Sequence, residues 1–370
     1  MPTSPSLPPD SSSSSSSPSL PFRPFSLLPT ELVQHIVEST VPLSFHLKTY
    51  HQRQITLRSV ALVSRLFHQI AQPLLLAVVK VDSKRTLLFR MELSRTDSAY
   101  LRDLVWNVQM ENQLLSLLPS LANLRVLVLN FFCLDIAVLE NLAHLTTLRL
   151  TNVSIWSARS FTLAQVREVQ LLDVKSRHAD QSLGDIFDTS TVPALRALVY
   201  WRTGGEVLDA NELLRNLDCQ VEALSMDRHI VKRLGADVFA AVNDKTLFDV
   251  PLFDERLPSG PPVKHLRVHF DPLGLTPIEL SAALKSVQAL VNPERTSSLP
   301  IHLYLPPLPL YTSTSAHSTG RALDELVQAC DAQKVTVVYE EQPIAWAFDS
   351  GISMDFWRRM KELKAKGGKE

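Results

Sequence analysis

The first regular pattern of hydrophobic residues lies between residues 28 and 38. Leu28, Leu32 and Ile36 recur every four residues, and Val33 and Val37 widen the same stripe. This spacing is typical of an amphipathic α-helix, because residues three and four positions apart share one helix face. The sequence therefore predicts a helix with one broad apolar face.

The residues near its ends support this helix. Pro29 suits the first turn, where its missing N–H removes a donor that would be unpaired anyway. Glu31 lies in the same turn, where the helix dipole favours a negative charge. The helix is expected to end before Pro42, because proline disfavours helix in the residue that precedes it.

A second amphipathic helix is predicted over residues 56–71, after a polar segment at about residues 43–55. Apolar and small residues recur there at three- and four-residue spacing, and Pro73 is expected to end the helix. The residues on the shared face are Leu57, Val60, Ala61, Ser64, Phe67 and Ala71.

From about residue 77 the helical spacing gives way to short runs of β-prone residues. Each run begins with an aliphatic residue and has another three positions later. The runs are Leu101–Trp106, Leu124–Leu129, Leu145–Leu150, Val166–Leu171, Leu195–Tyr200, Val221–Met226 and, more weakly, Val263–Val268. Their first residues are 23, 21, 21, 29, 26 and 42 positions apart. The first three spacings fall within the roughly 20–29 residues of a leucine-rich repeat.

This period predicts an α/β solenoid, in which successive repeats contribute parallel strands and bury their aliphatic residues against one another. Helix-like stretches at residues 112–118 and 134–142 lie between the runs. After residue 250 the period decays, and we expect strands at residues 301–305 and 335–339 around a helix at residues 321–330. An ordinary α/β sheet with crossover helices is the alternative.

One position departs from the leucine-rich repeat signature. Three residues after the last strand leucine, the signature has Asn or Cys, whereas this chain has Phe132, Val153 and Val174. A polar ladder that satisfies the backbone of the turns is therefore missing there. The repeats are predicted to be irregular.

The two N-terminal helices resemble the F-box, a helical adaptor-binding module. Leu28-Pro29, Leu32 and Ile36-Val37 match its opening. The segment from Leu57 to Phe67 is similar to its closing helix, with Ser64 in place of the usual Cys and Phe67 in place of the usual Trp. The loop between the two halves, from His46 to Gln54, is longer than usual. Residues 71–81 resemble the segment that leads into the repeats of many fungal F-box proteins.

The resemblance implies a non-catalytic substrate adaptor. In that family the F-box binds a Skp-type adaptor protein, and through it the cullin of a ubiquitin ligase, while the C-terminal domain selects a protein substrate. The adaptor interface implied for this chain, or its supporting core, consists of Leu28, Pro29, Leu32, Ile36, Val63 and Phe67. Two alternatives stay open: the stripe packs only on the repeat domain, or the chain is a leucine-rich scaffold with no ubiquitin role.

The substrate is unknown, and the surface expected to bind it is the strand face and loops of the repeats. Aromatic side chains contribute strongly to many interfaces. The candidates are Trp106, Trp156, Trp201 and Phe131. For each of them a packed core position is an equal alternative.

Composition changes the picture at both ends of the chain. Residues 1–25 are rich in Ser and Pro and have Ser at every position from 11 to 17, so they bury too little apolar surface to offset the entropy of ordering. The basic run at residues 361–369 is expected to be a solvated, frayed end. The predicted organisation is a disordered tail at 1–25, an F-box-like helical module at 26–75, a repeat domain at 76–345, and a C-terminal helix with a basic tail at 346–370.

Charge and cysteine content argue against several classes of partner. The chain has 37 basic and 38 acidic residues, so it has no general attraction for nucleic acid or for an anionic membrane. Cys133, Cys219 and Cys330 are too few and too far apart for a disulfide framework or a zinc cage. With no secretory signal pattern and no apolar run of about 20 residues, the expected location is the cytoplasm or nucleus.

No motif indicates catalysis. The ten glycines form no phosphate-binding loop, and no G-x-S-x-G nucleophile elbow occurs. His265 and His269 lie four residues apart, but on a predicted strand and without the Glu of a zinc-protease motif. We therefore expect no catalytic residues, no metal and no cofactor. An α/β enzyme is kept as a third class, which would need a deep pocket lined by converging polar groups.

Overall fold

The computed structural model describes residues 28–41, 47–82, 100–107, 111–202, 208–217, 221–227, 230, 246–251, 263–269, 277–292, 299–306, 317–340 and 356–367. The predicted tail at residues 1–25 lies outside these ranges. The fold is mixed α/β, with a large parallel sheet and helices. The chain divides into two compact units between Val41 and Pro42.

The first unit contains one described helix, α1, which spans Thr30–Thr40 and confirms the first predicted helix. Pro29 precedes it, and its carbonyl accepts the N–H groups of Leu32 and Val33 at 3.0 and 3.2 Å. On the exposed side, the amide of Gln34 donates to Glu38 one turn later at 2.8 Å. Pro29 is therefore the N-cap residue, one position before the first turn in which the sequence placed it.

The second unit begins with two helices where the sequence predicted one. Helix α2 spans Leu47–Ala61 and helix α3 spans Arg65–Ala77, so the prediction of a single helix over residues 56–71 is wrong. The reason is Ser64, whose backbone is extended and whose hydroxyl accepts the N–H of Phe67 at 3.3 Å. A serine in this position is an N-cap and starts a new helix.

Helix α3 also continues past Pro73, contrary to the prediction that this residue ends it. Its last turn has carbonyls with no donor inside the helix. The guanidinium of Arg53 donates to the carbonyl of Leu74, and the amide of Gln54 donates to that of Leu75, each at 3.4 Å. Both donors lie on α2, so residues 47–55 of the segment expected to be a polar loop are helical, and they support the end of α3.

Eleven strands of the described chain form one sheet in which every neighbouring pair is parallel. The strands follow one another in chain order, without a crossover to a distant position. They are β1 Val78–Val81, β2 Asp103–Trp106, β3 Val126–Asn130, β5 Thr147–Thr151, β7 Glu168–Leu172, β9 Ala197–Trp201, β10 Ala223–Met226, β11 Leu247–Pro251, β12 His265–His269, β13 His302–Leu305 and β14 Thr336–Tyr339. Three short strands form a second parallel sheet in the order β4 Cys133–Asp135, β6 Ser154–Trp156 and β8 Lys175–Ser176.

The register of the large sheet explains the aliphatic period. Leu104, Leu127, Leu148, Val169 and Leu198 are direct partners on successive strands. All five are buried in one hydrophobic core. The second aliphatic residue of each run thus stacks on its equivalent in the next, and the predicted strands and their parallel pairing are confirmed.

The sequence pattern missed β11 of the large sheet, as well as the three strands of the second sheet. Strand β11 lies inside the 42-residue spacing between the last two runs, where it pairs with β10 and β12. The sequence has Lys245 where the other runs have their first aliphatic residue, and Phe248 replaces the second. Phe248 pairs with Leu224 and Leu266 in the same buried row, so the strand keeps the core position but not the recognisable motif.

Helices and turns connect the strands. The helices described between strands are α4 Glu111–Leu117, α5 Leu183–Ile186, α6 Leu208–Asn216, α7 Pro277–Leu290 and α8 His317–Ala332, and α9 Phe356–Gly367 follows the last strand. Helix α8 confirms the helix predicted at residues 321–330, and strands β13 and β14 confirm the two runs around it. The helix predicted at residues 134–142 is wrong, because β4 and a 3₁₀-helix over Ile136–Asn141 occupy this segment. A 21-residue spacing between strands leaves room for only a short, tight turn.

A left-handed turn recurs between the two sheets. Phe131, Asn152 and Asp173 have φ angles of 58°, 53° and 53°. Their N–H groups donate across to the next strand, to the carbonyls of Thr151, Leu172 and Trp201, at 2.8 to 2.9 Å. A backbone hydrogen bond therefore joins each turn to the end of the next strand, without a polar side-chain ladder. The residues that replace the ladder are buried in the core, and they are Phe132, Val153 and Val174.

Candidate functional site

Helix α1 carries apolar side chains on two sides that differ in burial. Val33 and Val37 are 0% and 2% exposed. Leu28, Leu32 and Ile36 are 39%, 51% and 39% exposed, and together they are called the α1 stripe. The preceding Pro29 is also exposed. Three of the five apolar residues predicted to form this face are thus accessible.

A second apolar surface lies around the turn between α2 and α3. Leu62 and Val63 in this turn are 87% and 67% exposed, and Ile55, two helical turns earlier on α2, is 50% exposed. These three residues are called the turn surface. Phe67 on α3 is half-buried, and its N–H is held by the Ser64 cap. The predicted interface residues therefore lie in two sets, four in the first unit and two in the second.

Ile55 and Leu62 were not predicted as interface residues. The sequence pattern predicts a polar loop at Ile55 and a continuous helix at Leu62. The available signal was the serine cap at position 64, since a cap would have placed Leu62 and Val63 in a turn.

Burying a Leu or Ile side chain completely is worth about 1.5–3 kcal/mol, so a partner that covers the α1 stripe gains roughly half of this per residue.

The large sheet has a second face, opposite the hydrophobic core, which is called the covered face. One row across it consists of direct register partners on successive strands. The row contains charged and polar residues, which is unusual for a buried layer. Its members from β5 to β13 are Arg149, Gln170, Val199, Ser225, Asp249, Arg267 and Tyr304.

Helix α9 packs on the covered face. Its buried residues recur every three or four positions, as Phe356, Met360, Leu363 and Gly367. The basic C-terminal run is therefore helical and not frayed up to residue 367, whereas Lys361 and Lys366 are exposed to solvent as expected. The apolar cluster beneath α9 comes from strands β7 to β13 and consists of Leu172, Ala197, Val199, Ala223, Leu247 and Tyr304.

The buried carboxylate of Glu168 on β7 holds the first turn of α9. It accepts the N–H groups of Phe356 at 3.3 Å and of Trp357 at 3.1 Å. The side-chain amide of Gln170 donates to the same carboxylate. A negative charge at a helix N-terminus is favoured by the helix dipole. Burial lowers the pKa of Arg149 to about 10, and the charge of Glu168 acts in the opposite direction.

A chain of buried polar groups continues across the covered face. The indole N–H of Trp201 donates to the hydroxyl of Ser225 at 3.1 Å, and this hydroxyl donates to Asp249 at 2.7 Å. The guanidinium of Arg267 donates to Asp249 and to Glu340, each at 2.6 Å. Burial opposes the charge of Arg267, but the two carboxylates outweigh burial, so the pKa of Arg267 is raised. This arrangement neutralises charges that would be costly alone.

The four aromatic candidates for substrate binding have different environments. Trp106 is fully buried in the core and is therefore not available to a substrate. Trp201 bonds to Ser225 and packs with the cluster beneath α9. Trp156 is half-buried, with the guanidinium of Arg177 lying 4.5 Å from the centre of its ring. Phe131 is 55% exposed on the left-handed turn.

One of the two histidines considered as metal ligands, His265, has a ring partner. His265 stacks on His302 of the neighbouring strand, with ring centres 5.0 Å apart and planes 16° apart. Within the described ranges, no group of three or more His, Cys, Asp and Glu side chains is arranged to hold a metal ion. None of the described helices combines the length and hydropathy that crossing a bilayer requires.

No protein-family model matches this chain, and no curated protein is significantly similar to it in sequence. The two exposed apolar surfaces and the covered face are therefore interpreted from their own geometry and chemistry.

Proposed function

We propose that this chain is a non-catalytic substrate adaptor of the F-box type. In this proposal its N-terminal helices bind a Skp-type adaptor protein, and through it the cullin of a ubiquitin ligase, while the large sheet and its loops bind a protein substrate. The exposure of the α1 stripe carries the proposal. Leu32 and Ile36 lie one turn apart on α1, and Leu28 precedes the helix. Exposed aliphatic side chains in such a row are the surface that a partner helix would cover.

The turn surface supports the same role independently. Leu62 and Val63 are the most exposed large apolar residues of the segment from α2 to α3. Val63 and Phe67 belong to the adaptor interface that the sequence resemblance implies, whereas Leu62 and Ile55 are added by their exposure. An exposed apolar turn of this kind costs solubility unless a partner covers it.

The order of the strands supports a solenoid of leucine-rich-repeat type. In a doubly wound α/β sheet the strand order reverses at a switch point near the middle of the sheet. Here the order runs from β1 to β14 without reversal, as expected when each repeat stacks only on its neighbours. This favours the solenoid over the ordinary α/β sheet that the sequence left open.

The proposed contribution to ubiquitin transfer is proximity. A tethered substrate meets the ubiquitin-loaded enzyme at a high local concentration, so a slow bimolecular encounter becomes an intramolecular one. This role requires no catalytic residue, metal or cofactor on this chain, and it involves neither nucleic acid nor a membrane.

Co-purification with a Skp-type adaptor tests the proposal. The double variant Leu32→Asp, Ile36→Asp places two charges in the α1 stripe, and we expect it to abolish the association. The matched control His35→Asp, Ser39→Asp places two charges one turn apart on exposed polar positions of the same helix and should retain it. Association that survives in the first variant, or that is absent in the unaltered chain, would favour a scaffold without a ubiquitin role.

A further inference from the structure

Helix α9 is a basic amphipathic helix bound to a face of its own chain. It has five basic residues and one acidic residue, and its apolar side faces the sheet. Phe356, Met360 and Leu363 are buried in the cluster formed with strands β7 to β13. The exposed positions on its other side include Arg358, Lys361 and Lys366. The covered face thus already binds one basic amphipathic helix, the α9 helix of its own chain.

The covered face is built to receive a helix of this kind. Ala197 on β9 and Ala223 on β10 contribute small side chains at equivalent register positions, which lets a helix approach the sheet closely. At the far end, a Cβ added to Gly367 would lie 2.6 Å from the hydroxyl of Tyr304. The sheet therefore fits a helix that has bulky apolar residues at its start and a glycine at its end.

Charge adds to this shape. The covered face holds three buried carboxylates, from Glu168, Asp249 and Glu340, against the two buried guanidinium groups of Arg149 and Arg267. Glu168 receives the first two N–H groups of the bound helix. An excess of negative charge beneath a basic helix gives the face a preference for basic ligands.

The fit of α9 is nevertheless incomplete. The indole N–H of Trp357 and the hydroxyl of Tyr304 are buried and have no hydrogen-bond partner among the described protein atoms. Buried polar groups without a partner weaken an interface. A ligand helix that supplies a partner to the hydroxyl of Tyr304, or that has an apolar side chain in place of Trp357, would bind more tightly than α9.

We propose that the covered face is the substrate site of this chain, that it takes a basic amphipathic helix of a protein partner, and that α9 occupies the site as an autoinhibitory stand-in. The substrate role rests on the adaptor function proposed above, whereas the binding itself does not. A competing helix reaches the face only while α9 is displaced, so its apparent affinity falls in proportion to the displaced fraction.

A fluorescent peptide with the sequence of residues 354–369, titrated against the full-length chain, tests this proposal. The variant Met360→Asp removes a buried contact of α9 and leaves the sheet unchanged, and the control Ala365→Asp adds the same charge at an exposed position of α9. We expect Met360→Asp to bind the peptide about tenfold more tightly than the unaltered chain, and Ala365→Asp to bind like the unaltered chain. Adding Glu168→Gln to Met360→Asp should remove most of the gain, since the carboxylate that holds the helix start is lost.

Equal peptide affinity in Met360→Asp and the unaltered chain would overturn the proposal, as would a gain that is indifferent to Glu168→Gln. Hydrogen exchange of the unaltered chain provides a test that does not depend on any variant folding. We expect the amides of α9 to exchange at least about 100-fold faster than those of β9 and β10, because α9 opens without the sheet. Equal protection would show that α9 is an integral part of the core.

The two proposals fail separately. The peptide assay contains no adaptor protein, and the adaptor test uses residues of α1 that the peptide does not involve. Lost peptide binding with intact adaptor co-purification would refute only the stand-in role of α9. Peptide binding without adaptor co-purification would leave a helix-binding protein that has no ubiquitin role.

Discussion

Arg267 is expected to be the most sensitive charged residue of the large sheet, and the perturbation that tests this is Arg267→Met. The side chain is buried between the equally buried carboxylates of Asp249 and Glu340, at 2.6 Å from each. Methionine keeps an apolar stem of similar length and removes the charge. The two carboxylates then remain buried without their cation.

The size of the effect follows from two opposing quantities. With a charge separation of about 4 Å and an effective dielectric constant of about 20, each ion pair is worth about 4 kcal/mol. The variant loses both attractions but also relieves the burial of one charge, and the carboxylates can take up protons. We therefore expect a net loss of about 3–5 kcal/mol in the free energy of unfolding, as for other buried pairs that lose one partner.

Urea unfolding followed by circular dichroism measures this loss. The control Arg196→Met breaks the pair of Arg196 with Glu222, which lie 3.6 Å apart with side chains 41% and 49% exposed. Exposed pairs contribute little, so the control should lose less than about 1 kcal/mol. A loss in Arg267→Met no larger than that in Arg196→Met would refute the reasoning that this network supports the sheet.

Three further predictions concern packing, protonation and thiol reactivity. Gly184→Ala places a Cβ 2.8–3.0 Å from the backbone of α6, whereas the Cβ of Gly320→Ala meets nothing within 4 Å. In urea unfolding, the free energy of unfolding should fall by about 1–3 kcal/mol in Gly184→Ala and rise by up to about 1 kcal/mol in Gly320→Ala. Partial burial raises the pKa of Asp188, but hydrogen bonds from Ser190 and Thr191 outweigh burial and hold this pKa below 3.8. The ionised carboxylate therefore adds stability above pH 3.8, and this stability is lost as the pH falls through the pKa of the folded state. In urea unfolding, the stability lost in Asp188→Asn should decrease over the same pH range. Burial and, to a smaller extent, the carboxylate of Asp331 raise the pKa of Cys330 to about 12. Alkylation at pH 8, mapped by mass spectrometry, should therefore modify the half-buried Cys133 and leave Cys330 unmodified until the chain is unfolded.

The strands were predictable because their signal is local and repeated. An aliphatic residue at position i and another at i+3 identified seven strands of the large sheet, such as those around Leu127 and Leu148. The same rule missed β11, because Lys245 and Phe248 replace both aliphatic positions there. Strand β11 is defined by its pairing with β10 and β12 and not by a motif of its own.

The helical segment was harder to predict because one serine has two possible roles. Ser64 fits the small-residue positions of a continuous apolar face, and it also fits an N-cap. The structure uses the cap, which turns one predicted helix into two and exposes Leu62 and Val63. The helix α2 that precedes it is held by polar contacts from Arg53 and Gln54 to the end of α3, and such contacts leave no periodic signal.

The covered face could not be predicted from the sequence. The carboxylate of Glu168 and the N–H of Phe356 are 188 residues apart, and each looks ordinary in its own segment. Glu168 begins a strand among apolar residues, and the basic run after Phe356 resembles a solvated terminus. Only the folded sheet brings the carboxylate to the start of α9.

The most direct test of the account is a calorimetric titration of the full-length chain with a purified Skp-type adaptor protein. We expect saturable binding with one adaptor per chain. In Leu32→Asp, Ile36→Asp the affinity should fall by at least about 100-fold, which corresponds to about 3 kcal/mol lost from two interface anchors. An affinity unchanged by these substitutions, or no binding by the unaltered chain, would contradict the central claim that the α1 stripe is an adaptor-binding surface.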